Sequence, residues 1–387
     1  MIKKKLKILI LSLTFGIIIS LNLSLSNSRM LKQGTGWVSM DPNPAPSARS
    51  NLQIVYDTES DRMIIFGGVK KATTQERYND TWVYDYNTNI WVNKTPIVSP
   101  GRRNGHSMAY DSESDRCILF GGLKTYYDPP TSVEGWNDTW AYDYNSNTWV
   151  EMNPEECPST RMCAAMKYDS ESDRMVLFGG WSEDRMDIGE TWIYNFNNNS
   201  WKMLTPEPAP SGRYRPAMAY DSESDRMILF GGMSEITAVR DTWAYDYNSN
   251  TWTNMNPSTA PPARLLAAMV YDKSVDRIIF FGGTNVAKTF FYTDTWAYDY
   301  NSNTWNELTH TTHPSGRCYI DMAYDEESNR SILFGGETDS NIRSDETWVY
   351  ESTMITTQAT SNIEIILTVI GLILYTREKQ KYSKSLN

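Results

Sequence analysis

A pair of glycines behind an apolar run recurs six times, at Gly67, Gly121, Gly179, Gly231, Gly282 and Gly335, with spacings of 54, 58, 52, 51 and 53 residues. Self-similarity at a period near 50 points to an architecture of repeated supersecondary units, each burying its apolar face against its neighbours. After each pair comes Asp/Glu-Thr-Trp, at Trp82, Trp140, Trp192, Trp243, Trp296 and Trp348, with Tyr84, Tyr142, Tyr194, Tyr245, Tyr298 and Tyr350 two residues on. In the first five units a second tryptophan follows nine positions after the first, at Trp91, Trp149, Trp201, Trp252 and Trp305. Twelve residues later a Pro-x-x-Arg opens the next unit, ending at Arg103, Arg161, Arg213, Arg264 and Arg317.

The sixth unit stops after Tyr350 without its second tryptophan, and that residue is found at the other end of the chain. Trp37 stands twelve positions before Arg49, the spacing of the other five units. The stretch around Trp37 therefore supplies the missing outer strand of the last unit. An array that completes one unit from both termini is a closed ring, and closure removes exposed sheet edges.

Each unit reads as four short strands: from the arginine to a Tyr-Asp pair (213–220 in one unit), the apolar run before Gly-Gly, the period-two Thr-Trp-x-Tyr strand, and a strand beginning at the second tryptophan. Asp-Ser-Glu-Ser-Asp-Arg and Asn-Ser-Asn-Thr, or close variants, form the turns, because Asn, Asp and Ser bond back to their own backbone. The expected fold is all-β: a six-bladed propeller closed by an N-terminal strand and flanked by terminal hydrophobic helices. These motifs resemble the kelch repeat over residues 36–350, as in the central domain of galactose oxidase. One column departs from the kelch pattern: the histidine after the opening arginine occurs only at His106, with Leu52, Ala164, Pro216, Ala267 and Ile320 in its place elsewhere. Galactose oxidase binds copper through tyrosine and histidine. With 3 histidines and no such constellation in this chain, the resemblance carries no copper here, and no metal or other cofactor is expected.

In a closed ring of antiparallel blades the one–two and three–four turns share one face, and their near-identity in every unit reads as scaffold. The opposite face carries the two–three loops, which run 12, 16, 10, 9, 11 and 10 positions from the second glycine to the acid before Thr-Trp. Variable loops on a rigid scaffold are the usual seat of binding. Twelve of the 14 tryptophans occupy the repeating columns. Trp136 and Trp181 do not, and both fall in two–three loops, joined by Tyr126 and Tyr127 in the longest loop and by Phe290, Phe291 and Tyr292 in blade five. These aromatics are the candidate ligand contacts, either as a protein hot spot or as a stacking surface for sugars; the alternative is that they fold back over the blade tops.

The opening arginines, Arg49, Arg103, Arg161, Arg213, Arg264 and Arg317, are expected to ring the channel mouth on that face. There they could meet a carboxylate or sulfate, although their presence in every blade favours a structural role. A second column (Arg62, Arg116, Arg174, Arg226, Arg277, Arg330) reads as scaffold pairing. His310 and His313 lack companions for a metal site. The Asp-x-Asn-x-Asn runs lack the glycine and closing glutamate of a calcium loop.

Residues 1–30 begin with four lysines ahead of an apolar run at 8–25, the pattern of a signal peptide or signal-anchor. Residues 351–362 read as a polar spacer, and 363–387 as a short hydrophobic segment with a basic tail, a membrane anchor or sorting tail. The terminal segments carry +5 and +2 of a net charge of −11, leaving −18 for the body between them. Such a body repels phosphate backbones, which argues against a nucleic-acid partner. The four cysteines are too few for a disulfide framework and read as thiols, with a Cys157–Cys163 bridge as the alternative. The expected function is an exported, membrane-tethered binding platform at the cell surface for a protein or glycan, not an enzyme. The alternatives are a sugar-active enzyme of the oxidase or epimerase type and a structural surface-layer component.

Overall fold

The computed structural model describes residues 36–71, 76–126, 133–184, 186–338 and 342–352. Six four-stranded antiparallel sheets form the blades of a propeller. Blade one, Gln53–Asp57, Arg62–Phe66, Thr81–Asp85 and Ile90–Asn93, sets the pattern for the rest. The second strand lies between two neighbouring blades, so both its faces are covered and Met63, Ile64, Ile65 and Phe66 are all buried. The outermost strand buries Trp91 alone. Six clusters of the core each bridge two adjacent blades, such as Val55, Ile64 and Phe66 against Met108, Leu119 and Tyr142.

Two repeated devices tie blade to blade. Each outer-strand tryptophan donates its indole N–H to the buried threonine of the preceding blade: Trp149 to Thr81 at 2.9 Å, Trp91 to Thr347 at 3.0 Å, Trp37 to Thr295 at 2.8 Å, and likewise around the ring. The Gly-Gly pair makes the second seam. Gly68 donates its N–H to the Arg103 carbonyl at 3.0 Å, and a Cβ on Gly67 would stand 2.8 Å from that same oxygen. With φ of 65° and 95° at the two positions, only glycine allows the next blade this close.

The N-terminal strand Gly36–Met40 pairs antiparallel with Thr347–Glu351, completing the sixth sheet. Trp37 faces Tyr350 in the register that sets Trp91 opposite Tyr84. The opening strands are shorter than the sequence suggests: in blade four the strand is Ala217–Asp221, not 213–220. The reason is Arg215, whose left-handed backbone (φ 59°) interrupts the extended run, as do Asn51, Gly105, Cys163, Leu266 and Tyr319 at the same position of the other blades. All four cysteines are free thiols. The expected terminal helices, in 1–30 and 363–387, lie outside the described residues, as does all but the start of the spacer at 351–362. Among the described residues no helix is long and apolar enough to cross a membrane.

Candidate functional site

The turn face carries a repeated set of internal bonds. Asp57 caps the first turn of blade one through the N–H groups of Glu59 and Ser60 at 3.1 and 3.0 Å, and Asn87 of the other turn reaches Asp61 at 2.8 Å. Equivalent bonds between the two turns recur in blades two to five. Arg62 pairs with Asp85 at 3.1 Å across the same face, and four of the other five arginines of its column find the matching acid.

On the loop face the six opening arginines do not line the channel mouth. Each turns into its own blade, 0–1% exposed, and meets the acid that precedes Thr-Trp. Arg103 grips Asp138 at 2.6 and 2.7 Å, donates to the Gly121 carbonyl at 3.0 Å and to the Gly101 carbonyl at 2.9 Å. The acid in turn accepts the indole N–H of Trp140 at 2.8 Å. A planar guanidinium whose three nitrogens are all hydrogen-bonded and whose charge is paired is a framework part, since a charge is stable in the interior only when paired.

What faces the axis is the next turn of chain. The six left-handed residues are joined head to tail by their own backbones: Gly105 N–H to Asn51, Cys163 to Gly105, Arg215 to Cys163, Leu266 to Arg215, Tyr319 to Leu266 and Asn51 to Tyr319, at 2.7 to 3.3 Å. This closed belt divides the axial space. Beneath it a small polar chamber of about 70 Å³ is lined by His106, Lys167 and Asp321. Lys167 occupies a column otherwise filled by valine and alanine, and its ammonium lies 3.9 Å from the Asp321 carboxylate. Burial raises the Asp321 carboxyl above the usual range, against the Lys167 charge and the Ile54 N–H that favour its ionised form. The His106 imidazole is pushed down to about 3 by burial and by the Arg103 charge, and neither ring nitrogen finds a hydrogen-bond partner among the described residues.

On the loop face, with belt residues in its wall, lies a cavity of about 310 Å³ walled by Val69, Leu123, Met162, Trp181 and Tyr319 and by the charged Arg77, Arg215, Lys288, Glu337 and Arg343. Of the candidate aromatics, Trp181 faces this cavity, its ring stacked on Tyr214 at 5.7 Å. Trp136 lies elsewhere, half-buried against Gly101, with the Arg103 guanidinium 4.8 Å and the Lys124 ammonium 4.9 Å from its ring. Tyr292 covers Arg264 at 3.5 Å, Phe291 packs with Leu265, Leu266 and Cys318, and Phe290 stays 57% exposed. Tyr126 ends a blade-two strand, its backbone opposite Val133; its side chain and all of Tyr127 lie outside the described residues. His310 packs edge-on to Tyr350 at 5.4 Å, beside the closing strand.

Sequence reasoning passed over the exposed aliphatics of the two–three loops. Met186, Ile236 and Ile342 are 66%, 79% and 61% exposed, and with Phe290 they place a large apolar side chain on each of blades three to six, with Val286 as a second on blade five. None belongs to a repeating column, and a search for aromatics alone could not find them. Among the described residues no cluster of histidine, cysteine and acidic side chains is arranged to hold a metal.

Comparison with known proteins agrees with this geometry. The profile described as the KLHDC2/KLHL20/DRC7 Kelch-repeats domain matches residues 32–209 and 170–362. Curated relatives include the Leucine-zipper-like transcriptional regulator 1 homolog of Drosophila melanogaster, 24% identical over 75% of this chain and 30% of that protein. Mei4-dependent protein 6 of Schizosaccharomyces pombe is 22% identical over 49% of this chain and 29% of its own length. The flagellar outer-arm dynein alpha chain of Chlamydomonas reinhardtii is 22% identical over 76% of this chain and 7% of its own length. The chain thus spans less than a third of each of these relatives. Among solved structures, that of YjhT superimposes with a TM-score of 0.65 at 14% identity, covering 82% of this chain and 98% of that one.

Proposed function

This chain belongs to the Kelch-repeats family represented by KLHDC2, KLHL20 and DRC7, and on that premise we propose that it is a binding platform that seats a protein partner on its loop face, outside the cytoplasm, tethered through its terminal segments. Kelch propellers commonly serve as protein-binding platforms. The observation that carries the choice of face is the asymmetry between the two ends of the ring. One end is a repeated set of turns, bonded to each other in blades one to five. The other raises Met186, Ile236, Phe290 and Ile342 into solvent. Large apolar side chains collected on one face of a soluble scaffold mark an interaction surface.

The test is site-specific photo-crosslinking of the full chain in its native cells. Crosslinkers at Ile236 and Phe290 should capture one and the same protein, and a crosslinker at Asn145 on the turn face should not. Replacing Met186, Ile236, Phe290 and Ile342 together by serine should abolish the capture without changing the melting temperature. Equal capture from both faces would refute the assignment of the face. Capture of a glycoconjugate through its sugar would make the ligand a glycan, and turnover of a sugar by the purified chain would make the protein an enzyme. The address is tested separately. Protease added to intact cells should cleave the loops, and recovery of the full-length chain from the cytosol would overturn export.

A further inference from the structure

We propose that Asn93 carries an N-linked glycan, and that this sugar shields the open outer edge of blade one. The inference rests on the reading that the chain is exported, because N-linked sugars are added to exported chains. It concerns the rim of the ring, not the axis.

The starting point is a difference among the acceptor triplets. Five Asn-x-Ser/Thr triplets fall within the described residues, at Asn79, Asn93, Asn137, Asn198 and Asn329. The triplet is recognised as a unit, so on the folded ring both the amide and the hydroxyl two residues on must be reachable. In three of the five the hydroxyl is buried. Thr81 and Thr139, 0% and 1% exposed, accept the indole N–H groups of Trp149 and Trp201, and Ser331 is 0% exposed. At Asn198 the hydroxyl is turned back, with Ser200 Oγ donating to Asn198 Oδ1 at 2.6 Å. Asn93 is different. Asn93 and Thr95 are both exposed. The Thr95 backbone N–H donates to Asn93 Oδ1 at 3.0 Å, and the Asn93 side chain makes no other bond among the described residues. Thr95 Oγ1 accepts the Thr81 N–H at 3.0 Å, which fixes the hydroxyl in place and leaves its proton to donate.

The strand that Asn93 ends is also the outer strand most in need of cover. Ile90–Asn93 pairs with Thr81–Asp85 on one side only, and its other edge is open. Trp91 is buried, while Ile90 and Val92 on either side of it are 42% and 47% exposed. The matching positions of the other outer strands are Gly36 and Val38, Thr148 and Val150, Ser200 and Lys202, Thr251 and Thr253, and Thr304 and Asn306. None of these strands places two aliphatics there. An open, uncharged edge of β-branched residues is a template for pairing with another chain, and native edges usually carry a charge or a proline against it. A bulky, hydrated sugar at the end of the strand serves the same purpose. The apolar loop tips of the docking face stand on blades three to six, so the sugar is mounted on a different blade from any of them.

The step forms one bond and breaks one. Asn93 Nδ2 bonds to the anomeric carbon of a sugar carried by a lipid-linked phosphate donor, with a membrane transferase as the catalyst. The bond from that carbon to the donor phosphate oxygen breaks, the phosphate keeps the electron pair, and the amide gives up one proton. Nothing is oxidised or reduced.

The experiment is glycopeptide mass spectrometry on the full chain from its native cells, run beside protease digestion of the intact cells. Sugar should be found at Asn93 on most exported copies, and on few or none at Asn79, Asn137, Asn198 and Asn329. N93Q should lose that sugar and keep its melting temperature to within about 2 °C. In detergent it should self-associate at a concentration where the glycosylated chain does not. Adding V92K to N93Q should disperse it again, because a lysine on the edge blocks pairing. T95S should keep part of the sugar and T95V none; should T95V unfold, N93Q and T95S carry the decision. An exported chain that is bare at Asn93, or occupied to the same extent at Asn79 or Asn137, would overturn the proposal and leave the address standing. A bare chain confined to the cytosol would overturn export, and the proposal with it. An N93Q chain that stays as dispersed as the glycosylated one would overturn the shielding.

Discussion

The opening arginine and the acid before Thr-Trp form one unit of the frame at every blade, and their burial sets the cost of breaking them. Arg103→Ala would leave Asp138 without its counter-ion and strip a donor from the Gly121 carbonyl. Urea unfolding of the full chain should show a loss of about 3–5 kcal/mol. Arg116→Ala, whose side chain is 30% exposed beside Asp143, should cost no more than about 1 kcal/mol; equal losses at the two sites would contradict the division into buried frame and solvated turn. His106 supplies a pH test. Its folded pKa is depressed to about 3, so its contribution to stability is complete above the ordinary histidine range and declines as pH falls through that range toward 3. The slope it adds is at most about 1.4 kcal/mol per pH unit. His106→Leu, which installs the residue that blade one carries at Leu52, should flatten the acid limb of the stability curve between about pH 6.5 and pH 3. An unchanged limb would mean that the imidazole finds a partner when protonated.

At the scale of elements, the strand Gly36–Met40 matters beyond its five residues. Trp37 is 1% exposed, packs on Phe281 at 4.7 Å and Tyr350 at 5.1 Å, and bonds to Thr295 of the neighbouring blade. Trp37→Ala should therefore cost about 3–5 kcal/mol, as a large buried aromatic does, and Trp91→Ala a similar amount. A loss at Trp37 below about 1 kcal/mol would show that the closing strand is dispensable. This strand was legible from the sequence because twelve residues separate Trp37 from Arg49, as in every other blade. The true start of the inner strands was not. A left-handed residue two positions after the arginine is disguised when it is Cys163, Leu266 or Tyr319, side chains that rarely take that conformation, and only neighbouring backbones impose it.

Across the whole molecule, ring closure creates contacts that no local pattern announces. Lys167 belongs to blade three and Asp321 leads into blade six, yet they meet across the axis at 3.9 Å. Lys167→Ala should destabilise by roughly 3 kcal/mol at neutral pH by leaving the carboxylate alone in the chamber. Because burial already raises the folded Asp321 pKa, the folded state holds that proton more tightly than the unfolded chain. The penalty should therefore appear as pH rises through the folded pKa and vanish below the usual carboxylate range. Adding Asp321→Ala to Lys167→Ala should recover most of the loss; failure to recover it at any pH would show that the pair is not coupled.

The sequence by itself determined the number of blades, the strand order within each and the closure, because those follow from periodic burial and from turn and glycine chemistry written into every repeat. It also marked the face where the loops vary. Only the tertiary structure decided how the charges are used. The acid partner of each opening arginine lies 28 to 35 residues on, across a loop whose length differs from blade to blade, so no fixed spacing reveals the pairing. The meeting of Lys167 and Asp321 is likewise a property of the closed ring, where blades distant in sequence are brought to a common axis.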